Sequence, residues 1–155
     1  MGFWADHLRR HCDDIQTIIG KDGTPYMRRY HLIKNEWLRV YVHEILRSDE
    51  DPELHDHPWD FTTILLSGGY SEEVPVKEFG NWQAGETKKI LWPRWSIIRH
   101  KADDLHRLDI EKPVWTLFIA GKSRRDWGFL TKSGWKYHRD FLREKFNNFV
   151  RFMGD

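Results

Sequence analysis

The sequence predicts an all-β barrel or sandwich. Three observations point there: short apolar runs with strand-like alternation recur between turn signals, helical patterning is confined to the two ends, and 155 residues carry nine Trp and nine Phe. Successive strands without intervening helical patterns argue against alternating β/α units. An aromatic-rich complement suits a small barrel whose interior is filled or shaped into a pocket. At this length one domain with a sizeable core is expected, spanning residues 1–155 with its barrel at about residues 26–131.

Taken in order, Trp4, Leu8, Cys12, Ile15, Ile18 and Ile19 recur at three- and four-residue spacing, which predicts an amphipathic helix over residues 4–19, ended by Gly20. A turn follows at Lys21-Asp22-Gly23-Thr24-Pro25. Tyr26 to Ile33 and Trp37 to Leu46 read as strands around a bend at Asn35-Glu36; in the second, Leu38, Val40 and Val42 alternate with Arg39, Tyr41 and His43. The polar stretch Ser48-Asp49-Glu50-Asp51-Pro52 precedes a short His-containing segment, and Phe61 to Leu66 is an apolar run ending at Gly68-Gly69. Tyr70 to Lys77 and Thr87 to Trp92 are further strands around a turn from Asn81 to Glu86. Ser96 to Arg99 and His106 to Ile110 flank a turn at Asp103-Asp104, Val114 to Ala120 is the last strongly apolar strand, and Trp127 to Thr131 is a short one. Phe141, Leu142, Phe146, Phe149 and Val150 mark one side of a second amphipathic helix over residues 137–153. The two terminal helices are expected outside the barrel or in a dimer contact.

With 25 basic against 24 acidic residues the net charge is +1, so the overall field favours neither nucleic acid nor an anionic membrane as partner. Cys12 is the only cysteine, which excludes an internal disulfide framework and points to a reducing compartment, the cytoplasm. The N-terminal residues show no signal-peptide pattern, and no apolar run approaches the length of a membrane span.

The chemistry concentrates at His55-Asp56-His57. In an extended strand alternate side chains share a face, so His55 and His57 point together while Asp56 turns away, a spacing that suits a metal ion. The plain alternative is a pair of solvent-exposed loop histidines ahead of Pro58. This segment resembles the first motif of the cupin superfamily: His-x-His, then a Glu after three or four intervening residues, and a Gly after six more. Gly68 and Gly69 stand where the final Gly falls, whereas the positions for the Glu are Phe61 and Thr62, and the preceding Gly is Asp49. Lys101-Ala102-Asp103-Asp104-Leu105-His106 matches the length of the second cupin motif, with Asp103 in place of its turn Gly. The resemblance covers about Arg39 to Thr131 and implies a double-stranded β-helix, a jelly-roll barrel with flanking N- and C-terminal helices, often dimeric. It also implies His106 as third ligand beside His55 and His57, with His100 as the rival. Three histidines without a Glu look like the thiol dioxygenase branch.

Other candidates follow from position. Asp60 completes a two-His, one-carboxylate set if Pro58-Trp59 introduces a bulge; strict alternation opposes this, and a hydrogen bond to a ligand imidazole is the other role. His43 shares a strand face with Tyr41 and Ile45 and is a candidate acid or base, with a half-buried structural histidine as the alternative. Among Arg47, Arg99, Arg124 and Arg125, the last is the first candidate to hold a substrate carboxylate or phosphate, beside Trp127. His7, His11, His31 and His138 read as structural.

Three functions remain open at this point. One is a metal-dependent enzyme on a small polar molecule, with non-heme Fe(II) dioxygenase chemistry. Another is an isomerase, epimerase or lyase using Zn, Mn or Ni as a Lewis acid. A non-catalytic module that binds a small metabolite is the third.

Overall fold

The computed structural model describes residues 3–76 and 86–145. Helix α1 (Phe3–His11) is followed by strands β1 (Ile15–Ile19), β2 (Pro25–Lys34), β3 (Arg39–Ile45), β4 (Leu54–His55), β5 (Phe61–Ser67) and β6 (Tyr70–Pro75). Then come β7 (Thr87–Trp92), β8 (Ile97–His100), β9 (Arg107–Asp109), β10 (Val114–Ala120), β11 (Gly128–Thr131) and β12 (Gly134–Tyr137). All pairings are antiparallel. A six-stranded sheet runs β1-β2-β3-β10-β5-β8, and two three-stranded sheets run β12-β11-β4 and β7-β6-β9.

The first helix is shorter than its periodicity predicts. It stops at His11, because Asp13 and Asp14 put negative charge where a helix C-terminus disfavours it, and because Ile15–Ile19 is rich in branched side chains that prefer a pleated strand. That segment pairs with β2 as an edge strand. Trp4, Leu8 and Cys12 still form the apolar side of α1 and pack with buried Ala5 on Tyr30, Val42 and Trp115. At the other end residues 138–145 are helical and Tyr137 closes β12; residues 146–153 of the expected helix lie outside the described residues, as do Lys77 and Asn81 to Ala84 with Gly85.

The register of the large sheet arranges its core-facing side in rows. Met27, Ile45 and Val114 lie abreast; Arg29, His43, Thr116 and Leu65 form the next row; His31, Tyr41, Phe118, Thr63 and Ile98 the next; and Ala120, Phe61 and His100 the last. Apolar residues fill one end, where Ile45, Leu65, Tyr70, Ile98, Ile110 and Val114 cluster. Toward the other end Tyr41, Phe61, Phe118 and Ala120 cluster, with polar groups set between them. Gly68 (φ 77°) takes the left-handed conformation that the turn from β5 into β6 requires.

Two hydrogen bonds tie the small sheets together where it matters. His55 and His106 exchange both backbone bonds at 2.9 Å in an isolated antiparallel bridge, so the two residues stand directly opposite each other. His57 then donates its N–H to the Ala102 carbonyl at 3.0 Å, which places the turn before His106 alongside the His-x-His segment.

Candidate metal centre

Strand alternation brings His55 and His57 to one face, and the backbone bridge adds His106. One ring nitrogen from each of the three lies within 4.8 Å of the others. His57 Nε2 and His106 Nε2 face each other at 2.9 Å. Two imidazole nitrogens so placed either share a proton or direct two lone pairs at one cation; neighbouring ligands with bonds of about 2.0–2.1 Å are separated by roughly 3 Å in a compact coordination sphere.

Glu72 determines which of these His106 does. Its carboxylate is 1 % exposed and faces His106 Nδ1 at 2.5 Å and His100 Nε2 at 2.6 Å through Oε1, while Oε2 accepts the Trp92 indole N–H at 2.8 Å. With Nδ1–H donated to the carboxylate, a neutral His106 presents a lone pair at Nε2, the carboxylate–histidine arrangement found behind many metal ligands. Burial by itself would raise the Glu72 pKa, yet the hydrogen bonds from His100 and His106 outweigh it and hold the group below the ordinary carboxylate range. Glu72, His100 and His106 also form a second convergent group, fully buried.

The other two imidazoles are kept neutral. Burial pushes His55 down to about 4, against the partial opposition of Asp49 and with the help of His106. Burial lowers His57 well below its ordinary value, reinforced by His106, His55, His100 and Arg29. Asp49 itself accepts the Tyr26 hydroxyl and the Leu108 N–H and lies 3.9 Å from His55 Nδ1. Uncharged imidazoles are the form that binds a metal, so this donor set fits a divalent cation.

The same barrel architecture occurs in proteins of known structure. A cupin-2 domain from Rhodospirillum rubrum superposes with a TM-score of 0.58 at 11% identity, covering 78% of this chain and 77% of that one. The chain has the cupin fold. The polyketide cyclase RemF from Streptomyces resistomycificus is also similar (TM-score 0.55, 16% identity, 78% of this chain and 83% of that one). So is Fe(II)-HppE with an alternative substrate (TM-score 0.53, 15% identity, 70% of this chain), of whose length the match spans 57%. A structure of that enzyme, hydroxypropylphosphonic acid epoxidase, is from S. wedmorenis. No protein-family model matches the sequence, and no curated protein matches it significantly.

Within this cupin-fold barrel several sequence candidates have other occupations. Asp60 does not reach the three imidazoles: its Oδ1 accepts the Ala102 N–H at 2.9 Å and its Oδ2 meets Arg124 at 2.5 Å, so no bulge turns it inward. Arg125 directs Nη1 to Asp56 at 2.6 Å and to the Ala102 carbonyl at 3.1 Å. Asp56 turns away from its flanking histidines as alternation requires and is buried, also accepting Gly128 N–H at 2.7 Å and Trp135 Nε1–H at 2.8 Å. Arg47 is engaged with Asp22 and Glu50. His43 faces inward but is poorly suited to acid–base work: burial, then Arg29 and His31, lowers its pKa well below the ordinary value, and its Nε2 accepts Arg29 Nε–H at 3.2 Å. His100 supports Glu72 and stacks on Phe61 at 4.8 Å between centroids. His7 and His11 pack ring to ring, and His138 stacks on Trp127.

Glu72 is the residue the sequence reading missed. It carried a cue in alternation, standing between Tyr70 and Val74 as a charged residue on an inward-facing strand side. Among the described residues no helix is long and apolar enough to cross a membrane.

Proposed function

We propose that this chain is a metal-dependent enzyme acting on a small polar molecule, with the chemistry of a non-heme Fe(II) dioxygenase. The observation that carries the reading is the 2.9 Å approach of His57 Nε2 to His106 Nε2, with Glu72 fixing the His106 proton on the far nitrogen. His55, His57 and His106 would hold the ion. A ferrous ion there supplies redox chemistry toward dioxygen and Lewis acidity.

The protein's own part is positioning and exclusion of water. Glu72 keeps His106 in one tautomer, Asp56 and Arg125 brace the backbone between and beside the histidines, and Phe61 packs edge-on against His57 at 4.6 Å. Three neutral ligands leave the cation its full charge for an anionic or polar substrate. Similarity in fold to Fe(II)-HppE supports the choice of iron. The lone Cys12 supports the cytoplasm as its compartment.

The test is elemental analysis of purified protein followed by anaerobic Fe(II) loading and measurement of oxygen uptake. The reading expects stoichiometric first-row metal in the native protein, none in His57→Ala, and oxygen consumption that requires iron. Metal-dependent turnover without oxygen would instead favour Lewis-acid chemistry on Zn, Mn or Ni through the same imidazoles. Absence of both metal and oxygen uptake would overturn the proposal.

A further inference from the structure

Among the described residues, five of the six sheet edges are guarded against another strand. β8 carries Arg99, β12 Lys136, β7 Lys88 and Lys89, and β9 Arg107 and Asp109, while β4 is engaged by the His55–His106 bridge. Charged side chains on an edge deter pairing with a second chain. β1 has none. It reads Ile-Gln-Thr-Ile-Ile, with Ile15 39% and Ile19 54% exposed.

The hydrogen bonds around β1 fix which of its backbone groups are free to pair. His31 N–H bonds the Asp14 carbonyl at 3.0 Å, and Gly20 N–H bonds the Thr24 carbonyl at 2.8 Å. Antiparallel ladders alternate, so the backbone groups of Gln16 and Ile18 bond β2, and those of Ile15, Thr17 and Ile19 point to the open edge. The same three residues share one side-chain face.

Three outward positions centred on Thr17 are complementary to themselves. In a second copy run antiparallel, with the two-fold axis at Thr17, Thr17 pairs with Thr17 and Ile15 with Ile19. Every outward N–H and C=O of the three residues is then met, and the exposed isoleucines cover each other. Carried one step further, this register sets Asp13 of each copy opposite Lys21 of the other, acid against base at both ends; Lys21 is half-exposed and also meets Asp51. A slip of two residues in either direction would set an isoleucine against Asp13 or against Lys21.

We propose that β1 is the contact through which two copies of this chain form a symmetric dimer, joining their six-stranded sheets into one. The pairing is isologous, so it consumes the edge and closes at two copies instead of growing into a fibre. A contact between two short strands is small, and the association is reversible. It stands apart from the metal centre and from the function proposed above.

The test is sedimentation velocity of the full chain from micromolar to millimolar concentration, with amide hydrogen exchange read by NMR across the same range. The mass is expected to rise from one chain of 18.8 kDa toward two and to stop there. Exchange at Ile15, Thr17 and Ile19 should slow about tenfold or more at the concentrated end, and exchange at Gln16 and Ile18, already bonded to β2, should change less. Thr17→Lys puts two cations on the two-fold axis and should weaken association about tenfold or more without altering metal binding. Under oxidation Thr17→Cys should form a covalent dimer, because residues opposite each other in such a pair have Cα atoms about 5.5 Å apart. Ile15→Cys, which faces Ile19, should not, and wild type with its Cys12 is the control. The proposal is overturned by a chain that stays monomeric, by growth beyond two copies, or by association with no slowing at the three outward amides. It is also overturned by unchanged association in folded Thr17→Lys, or by cross-linking through Ile15→Cys in place of Thr17→Cys. Mass and exchange use only the wild-type chain, so they decide the matter even if a variant fails to fold.

Discussion

Glu72 would control how His106 meets a cation, because one carboxylate oxygen faces Nδ1 and, with the proton there, leaves the Nε2 lone pair directed toward His57. Replacing Glu72 by Gln keeps the shape but removes the charge, and an amide satisfies either tautomer of the ring less selectively. Metal affinity should fall about 10- to 100-fold in Glu72→Gln, the usual consequence of losing such a partner, as read by competition with a chelator of known strength. An affinity equal to wild type would show that Glu72 serves only the packing. Asp56 acts at the same scale from the other side. Its carboxylate, 2 % exposed, holds Arg125, the Gly128 N–H and the Trp135 indole, so Asp56→Ala leaves several donors unanswered. A loss of about 3 kcal/mol is expected, less than for a fully buried pair because Arg125 keeps some contact with water. Urea denaturation measures it, and a change below about 0.5 kcal/mol would contradict the bracing role assigned to Asp56.

Three elements converge on the centre: the segment around β4, the turn before β9, and β6. The turn at residues 101–104 is held from both sides, since Ala102 donates its N–H to Asp60 and its carbonyl accepts from His57 N–H and Arg125 Nη1. Asp60 therefore contributes to the site by fixing the approach to His106, and Asp60→Asn, which keeps one acceptor, should lower metal affinity less than Asp60→Ala in the same chelator competition. Much of this was legible in alternation. The shared face of His55 and His57, the inward direction of His43, and the outward turn of Asp56 follow from a two-residue period alone. What alternation cannot show is which strands become neighbours. Glu72 meets His106 because β6 pairs with β9, and Arg29 meets His43 because β2 pairs with β3; neither adjacency is written within a single segment. The N-terminal helix was overextended for a related reason. Ile15, Ile18 and Ile19 continue a three- and four-residue spacing, but tertiary pairing with β2 decided the conformation of a branched segment that either pattern allows.

For the molecule as a whole, the buried imidazoles link stability to pH and to metal. His55 is held at about 4 when folded, below its ordinary value near 6.5, and His57 is shifted in the same direction. A folded-state pKa that is depressed for a base means that the unfolded chain binds protons first as the pH falls. Metal-free protein should therefore be fully stabilised by these groups above pH 6.5 and lose that stability between about 6.5 and 4, by about 3 kcal/mol for His55 alone as an upper bound. Denaturation midpoints that stay constant across that interval would contradict the neutral state assigned to the site. A metal that binds only the folded chain adds stability by mass action, about 2.7 kcal/mol at a hundredfold excess over its Kd, so a chelator should lower Tm at neutral pH. The central claim is convergence of His55, His57 and His106 on one cation. Anomalous diffraction from crystals of the metal-loaded protein tests it most directly: the account predicts a single strong peak about 2.0–2.2 Å from one nitrogen of each ring, and a peak bound elsewhere, or none with the three rings in place, would contradict it.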